Sequence, residues 1–105
     1  MIALIWHGYT TSGNGKTYEQ LLQNRILPSI EARHGHKVQL LVRDLPDDDE
    51  IEFITISYFD DLEQIKEFAG DDYERCVVPD EARVLLKRFD QRSRHRELKR
   101  TGPQV

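Results

Sequence analysis

The sequence predicts an α+β fold, and three observations carry that prediction. Strand and helix patterning alternate in the order β-α-β-β-α-β. The two middle strands are joined by a polar connector of hairpin length, so they run antiparallel. The first and third strands are apolar on both faces, as strands inside a doubly covered sheet are. The arrangement is a ferredoxin-like split βαβ: a four-stranded antiparallel sheet with both helices on one face.

Each element has a local reason. Met1 to Tyr9 (MIALIWHGY) sets Ile2, Leu4, Trp6 and Gly8 on one face and Ala3, Ile5, His7 and Tyr9 on the other. Thr10 to Lys16 is a turn-rich loop in which Ser12 or Asn14 is placed to cap a helix. That helix runs from about Lys16 to Arg33 with Tyr18, Leu21, Leu22, Ile26 and Ile30 as its apolar stripe. Pro28 should kink or split it, and Gly35 should end it. Lys37 to Leu45 is the second strand, with Val38, Leu40 and Val42 on one face. Pro46 to Glu50 is the connector, and Ile51 to Phe59 (IEFITISYF), rich in β-branched and aromatic residues, is the third strand. Asp60 is expected to cap the second helix with Glu63 in the capping-box position; Leu62, Ile65, Phe68 and Ala69 face inward and Gly70 closes it. Asp71 to Val77 is a further helical turn, Pro79 and Asp80 a bend, and Arg83 to Phe89 the last strand, extending toward Leu98.

The chain reads as a single domain over residues 1–98 with a frayed tail at 99–105. A net charge of −4 with mixed signs argues against nucleic acid as a partner. The single Cys76 rules out an intrachain disulfide and fits a reducing, cytoplasmic setting. The apolar start is too short for a signal peptide core, and no stretch nears the roughly 18 apolar residues of a membrane helix. Two helices on one face leave the other face of a two-sided apolar sheet bare, so a homodimer through sheet faces is expected. Leu4 and Trp6 are expected on that contact face, with His7 on the helix side.

Several motifs are weighed against plainer readings. TTSGNGKT at Thr10 to Thr17 misses the first glycine of a phosphate-binding loop and reads as a capped turn. Asp47, Asp48, Asp49 and Glu50 read as a solvated turn rather than a cation site, and no metal is expected. The basic run from Lys87 to Arg100 is broken by acids and reads as a charge-protected edge strand. His34 and His36 flank a helix end and face water. Cys76 reads as a small buried hydrophobe. His7 differs because it lies on a central strand, with Tyr9 on its face, where a pocket can form. His95 lies near the end of the last strand, within antiparallel reach of the first.

The opening MIALIWHG, the segment ITISYFDDLEQIKEFAGDDYER and the closing strand together resemble the antibiotic biosynthesis monooxygenase-like family over roughly residues 1–98. The shared pattern is a strand ending in an aromatic, an acid-capped helix, then an aromatic and a Gly or Asp turn. Here these are Phe59, Asp60, Phe68, Gly70 and Asp71, with Phe59 where a Trp is typical. The resemblance implies a dimeric α+β barrel with a pocket in each subunit between sheet and helices. Members include cofactor-free oxygenases of polycyclic phenols and haem-degrading enzymes. His7 matches a first-strand position where haem-degrading members carry Asn, and Phe68 matches an aromatic of their second helix. Their haem-ligating His falls near Cys76 or Val77, neither of which is a His, so no cofactor is expected.

The resulting expectation is a cofactor-independent monooxygenase-like homodimer acting on a planar aromatic or phenolic molecule. His7 would be the base, Tyr9, Phe68 and Tyr73 would line the pocket, and His95 would supply a second polar group. The alternatives are a non-catalytic ligand-binding or stress-response dimer, and a haem-degrading oxygenase.

Overall fold

The computed structural model describes residues 1–74 and 78–100. Its centre is β1 (Ile2–Thr11), which pairs antiparallel along its whole length with β3 (Glu50–Phe59), from Ile2 opposite Phe59 to Thr11 opposite Glu50. β2 (Gln39–Leu45) lies on the far side of β3. On the other side of β1, β4 (Leu86–Phe89) pairs with Gly8 to Thr10 and β5 (Arg94–Glu97) with Ile2 to Ile5. The protein is thus α+β with a five-stranded antiparallel open sheet of order β2-β3-β1-β4, β5 continuing the β4 edge. This order is consistent with a ferredoxin-like fold.

The expected single last strand is two strands because Asp90 breaks the ladder. Its N–H donates to the His7 carbonyl at 2.9 Å, and its carboxylate then accepts the His7 N–H at 3.1 Å. The chain turns away until Arg94, with the Ser93 N–H donating to the Glu74 carbonyl at 2.7 Å. The strand also starts later than expected, because Asp80–Arg83 forms a short helical turn, α4, after Pro79. The second strand likewise starts later, at Gln39.

The first helical segment is α1 (Gly15–Leu21), a π-helical turn (Leu22–Ile26) and α2 (Leu27–His34) in unbroken succession. Pro28 explains the wide turn. It has no N–H to give the Asn24 carbonyl, and its ring crowds that carbonyl. The Leu27 N–H reaches back five residues to the Leu22 carbonyl instead, so the expected kink is absorbed as a π turn. Neither expected cap bonds to α1: Asn14 holds the cap position without a side-chain bond, and the Ser12 hydroxyl pairs with Asp49. α3 (Leu62–Ala69) is capped one residue later than expected. Asp61, extended at φ −155°, accepts the Gln64 N–H at 2.9 Å, and Gln64 reaches back to the Asp60 N–H at 2.8 Å. Asp60 is thereby free to meet His36 at 2.7 Å, so His36 is paired with a side chain rather than only facing water. α2 and α3 end at Gly35 and Gly70, as expected. The readings of Cys76, Val77, the His34 side chain and tail residues 101–105 lie outside what is described.

Residues paired directly across an antiparallel ladder share a face. One face carries Leu4, Trp6, Gly8 and Thr10 of β1 with Phe53, Thr55, Ser57 and Phe59 of β3. Two apolar clusters join this face to the helices: Tyr18, Leu22, Leu27 and Ala82 pack on Phe53, and Ile65 packs on Leu4 and Phe59. Tyr18 meets Phe53 edge-on, ring centroids 4.9 Å apart. The other face carries Ala3, Ile5, His7 and Tyr9 with Glu52, Ile54, Ile56 and Tyr58, and neither cluster reaches it. This reverses the expected assignment of faces. Leu4 and Trp6 lie under the helices, and His7 lies on the open side. At the β2 edge Val42 is 48 % exposed, so the apolar face read there is only partly covered.

Gly8 is the tight point of this packing. A Cβ there would sit 2.7 and 2.8 Å from two Trp6 ring atoms and 3.0 Å from a Leu86 methyl, with β1 held by strands on both sides. Gly8→Ala is expected to destabilise the fold by about 1–3 kcal/mol through overpacking. A thermal melt should show a midpoint lower by roughly 4 °C or more, with a shifted Trp6 emission.

Candidate functional site

The helix-side face of the sheet is not fully filled. A cleft of about 70 Å³ opens between it and the helices, lined by Leu4, Trp6, Tyr18, Thr55, Ser57, Phe68 and Tyr73, among others. Its charge-free lining is a direct result of strand periodicity. Leu4 and Trp6 alternate inward on β1, and Thr55 and Ser57 do so opposite them on β3. The Trp6 indole N–H is fixed by the Asp90 carbonyl at 3.0 Å, which orients the ring plane. Phe68 leans on Phe59 with centroids 5.8 Å apart. Burial pushes the Tyr18 phenol well above its ordinary range, so it remains a proton donor throughout neutral pH.

Thr55 and Ser57 are the polar exceptions. Both are buried, at 8 % and 6 % exposure, and neither hydroxyl has a hydrogen-bond partner among the described residues. Alternate residues of a strand stand roughly 6.5–7 Å apart, so the pair offers two hydrogen-bonding points along one wall. The signal was present in the sequence as two hydroxyl residues interrupting an otherwise apolar strand face. Trp6 and Tyr18 were also missed as cleft residues, because each read as ordinary core.

The five expected site residues divide between the two faces. Phe68 and Tyr73 line the cleft. His95 pairs across from Leu4 and so shares the helix side, its ring edge-on to Tyr73 with centroids 5.4 Å apart. Its Nε2 is buried without a partner. Burial lowers its pKa, with Arg96 adding to the effect and Glu74 opposing it.

His7 and Tyr9 face the other way. His7 Nδ1 lies 3.0 Å from an Asp90 carboxylate oxygen and 3.1 Å from Arg94 Nη1. A proton on Nδ1 serves Asp90; without it, Nδ1 accepts from Arg94. The Tyr9 hydroxyl donates to Glu52 at 3.0 Å under the Arg88 guanidinium, which lies 3.7 Å from its ring centroid. Burial, then the bond to Glu52, raises the Tyr9 phenol. Arg88 also grips Glu50 through two bonds of 3.0 and 3.2 Å, and Lys87 adds a third contact at 3.3 Å. Those bonds, Arg88 first, hold the Glu50 carboxyl below its usual range. Glu50 thus belongs to this open-face network rather than to a solvated turn.

The expected grouping of His7 with Phe68 and Tyr73 is therefore corrected. Side chains alternate across β1, and the helices took the even-numbered face.

Comparison of the chain with protein families, curated proteins and solved structures returns no match. No helix among the described residues is long and apolar enough to cross a membrane.

The His95 environment has a pH signature. A histidine whose folded pKa is lowered binds its proton more readily when unfolded, so it contributes stability above the unfolded value of about 6.5. That contribution is lost as pH falls from there through the folded value. Melting temperature should therefore drop between about pH 7 and pH 5, and His95→Phe should flatten that part of the profile. An unchanged slope in the variant would place the titration elsewhere.

Proposed function

We infer that this chain acts as a dimeric α+β barrel protein whose helix-side cleft binds a planar aromatic molecule bearing hydroxyls. Cofactor-independent oxygenation of such a phenol is the activity proposed. One observation carries the reading: a wall of Trp6, Tyr18, Phe68 and Tyr73 faces two unpartnered hydroxyls, Thr55 and Ser57, in a charge-free cleft. Aromatic walls suit a flat ring, and a few convergent polar groups orient it. The cleft alone is smaller than the roughly 150 Å³ apolar cavity that holds a benzene in an engineered lysozyme. An adjoining groove of about 340 Å³ shares Ile26, Ile30, Phe68 and Pro79 with it and supplies the remaining space. A ring enters with its leading edge at the hydroxyls and its trailing edge in the groove.

In this scheme a base takes a phenolic proton and the electron-rich anion reacts with dioxygen. The peroxide then collapses to a quinone, with the second oxygen leaving as water. His95 replaces His7 as the proposed base. Its lowered pKa favours the neutral imidazole that proton abstraction needs, and it abuts two cleft residues, Leu4 and Tyr73. A second reading, binding without turnover, is favoured by one detail: His95 Nε2 is fully buried and His95 is not among the cleft-lining residues. Haem does not fit a cleft of about 70 Å³, and the position matched to its ligand, Cys76 or Val77, lies outside the described residues. No step is derived through it.

The dimer belongs to the same reading. The open face carries Ile5, Ile54, Ile56 and Tyr58, with Leu41 52 % exposed beside them. A second copy would bury this patch between sheets.

Trp6 is the only tryptophan in the chain, so its emission reports cleft occupancy directly. Titration with polycyclic phenols should quench it saturably, and oxygen uptake should accompany binding. Ser57→Trp should abolish both; His95→Gln should abolish uptake alone; His7→Ala should leave both intact. Binding with no uptake across the panel would select the second reading. Unchanged Trp6 emission would remove the cleft from the function altogether. Light scattering should give about twice the 12.4 kDa chain mass, and Ile54→Lys should halve it without touching ligand binding.

A further inference from the structure

The groove that continues the cleft differs from it in charge. The cleft lining holds no ionisable acid or base other than tyrosine, whereas the groove is lined by Arg25, Arg33 and Glu81 alongside Ile26, Ile30 and Phe68. These three charged residues are not equivalent. Arg25 is bound to Glu81 at 2.8 Å, so their charges cancel locally. The Arg33 guanidinium has no acidic partner among the described residues. It lies over the Phe68 ring, 5.5 Å from the centroid, where cleft and groove meet.

We propose that the ligand has two unlike ends: a hydroxylated aromatic head in the cleft, and a carboxylate in the groove bound by Arg33. This rests on the cleft reading above and adds to it the chemical class of the ligand. The head must be uncharged because nothing in the cleft lining would compensate a buried ion. The opposite end sits in an open groove where an anion keeps part of its hydration. Arg33 offers it a planar fork of donors that matches two carboxylate oxygens. The ring joining the two ends lies against Phe68, which carries the guanidinium on its edge of the site. Orientation follows from the same division. A carboxylated phenol can enter only with its hydroxyls leading, which presents them to Thr55 and Ser57.

Two probes separate the ends: naphthalene hydroquinone, and the same molecule carrying one ring carboxylate. Calorimetry without oxygen measures binding free of turnover. The carboxylated probe should bind the full chain roughly three- to tenfold more tightly, the range expected of one partly exposed charge pair. That advantage should shrink at high salt. Arg33→Gln should bring the two affinities together while leaving the neutral probe unchanged, and Arg33→Lys should keep part of the gap. Arg25→Gln should leave the gap intact. Equal binding of the two probes to the native chain overturns the assignment of Arg33 and leaves the cleft reading standing. A gap that survives Arg33→Gln, or that disappears in Arg25→Gln, overturns it as well. Failure of both probes to bind removes the cleft reading and this proposal with it.

Discussion

Everything in this molecule is referred to the pairing of β1 with β3. Ten residues of one strand lie against ten of the other without a slip. That register decides which side chains share a face. It puts Leu4 and Trp6 beside Ser57 and Thr55, and His7 beside Ile54 on the reverse. A shift by one residue would exchange the two faces wholesale. The cleft, the open apolar face and the charged network around Glu50 all follow from it. The helices contribute by choosing a side. Tyr18, Leu22 and Ile65 are apolar residues that must be buried, and the face with Phe53 and Phe59 receives them. Each such side chain is worth roughly 1.5–3 kcal/mol when buried, so the choice is firmly held.

The two faces solve different problems. The helix side is apolar, with its polar groups reduced to a few hydroxyls and one imidazole. The open side carries buried acids, each neutralised by arginine: Glu52 by Arg43 at 3.2 Å, Glu50 by Arg88. A lone buried carboxylate would be costly, and pairing offsets that cost without adding much stability. What these pairs supply instead is position. Tyr9 is held between Glu52 and Arg88, and His7 between Asp90 and Arg94, so the charged half of the open face is ordered beside its apolar half.

The α+β class was legible because strand period and helix period are each written locally. β3 showed itself through Ile51 to Phe59, and α3 through its apolar stripe. The five-stranded sheet was not, because the break at Asp90 depends on a contact with His7 more than eighty residues away. Nor could the sequence say which face of β1 the helices would cover. Both were apolar over the first six residues, and periodicity is symmetric between them. Hence Phe68 and Tyr73 were found as cleft residues, while His7 and Tyr9 were placed on the wrong side. Asp61 displaced Asp60 as the cap for a similar reason. Adjacent acids are interchangeable in pattern and are told apart only by backbone geometry.

The π turn at Leu22–Ile26 bears on how the chain tolerates change in length. One extra residue is accommodated there, and helical residues advance by about 100° each. Deleting any one residue of the turn would restore an ordinary helix and rotate α2 by that angle. Ile30, which lines the cleft, would swing off it together with Arg33. Substitutions in this turn alter side chains one at a time, whereas a single deletion re-aims a whole helix. Among relatives of this chain, the spacing between Tyr18 and Ile30 should be kept more strictly than the residues that fill it.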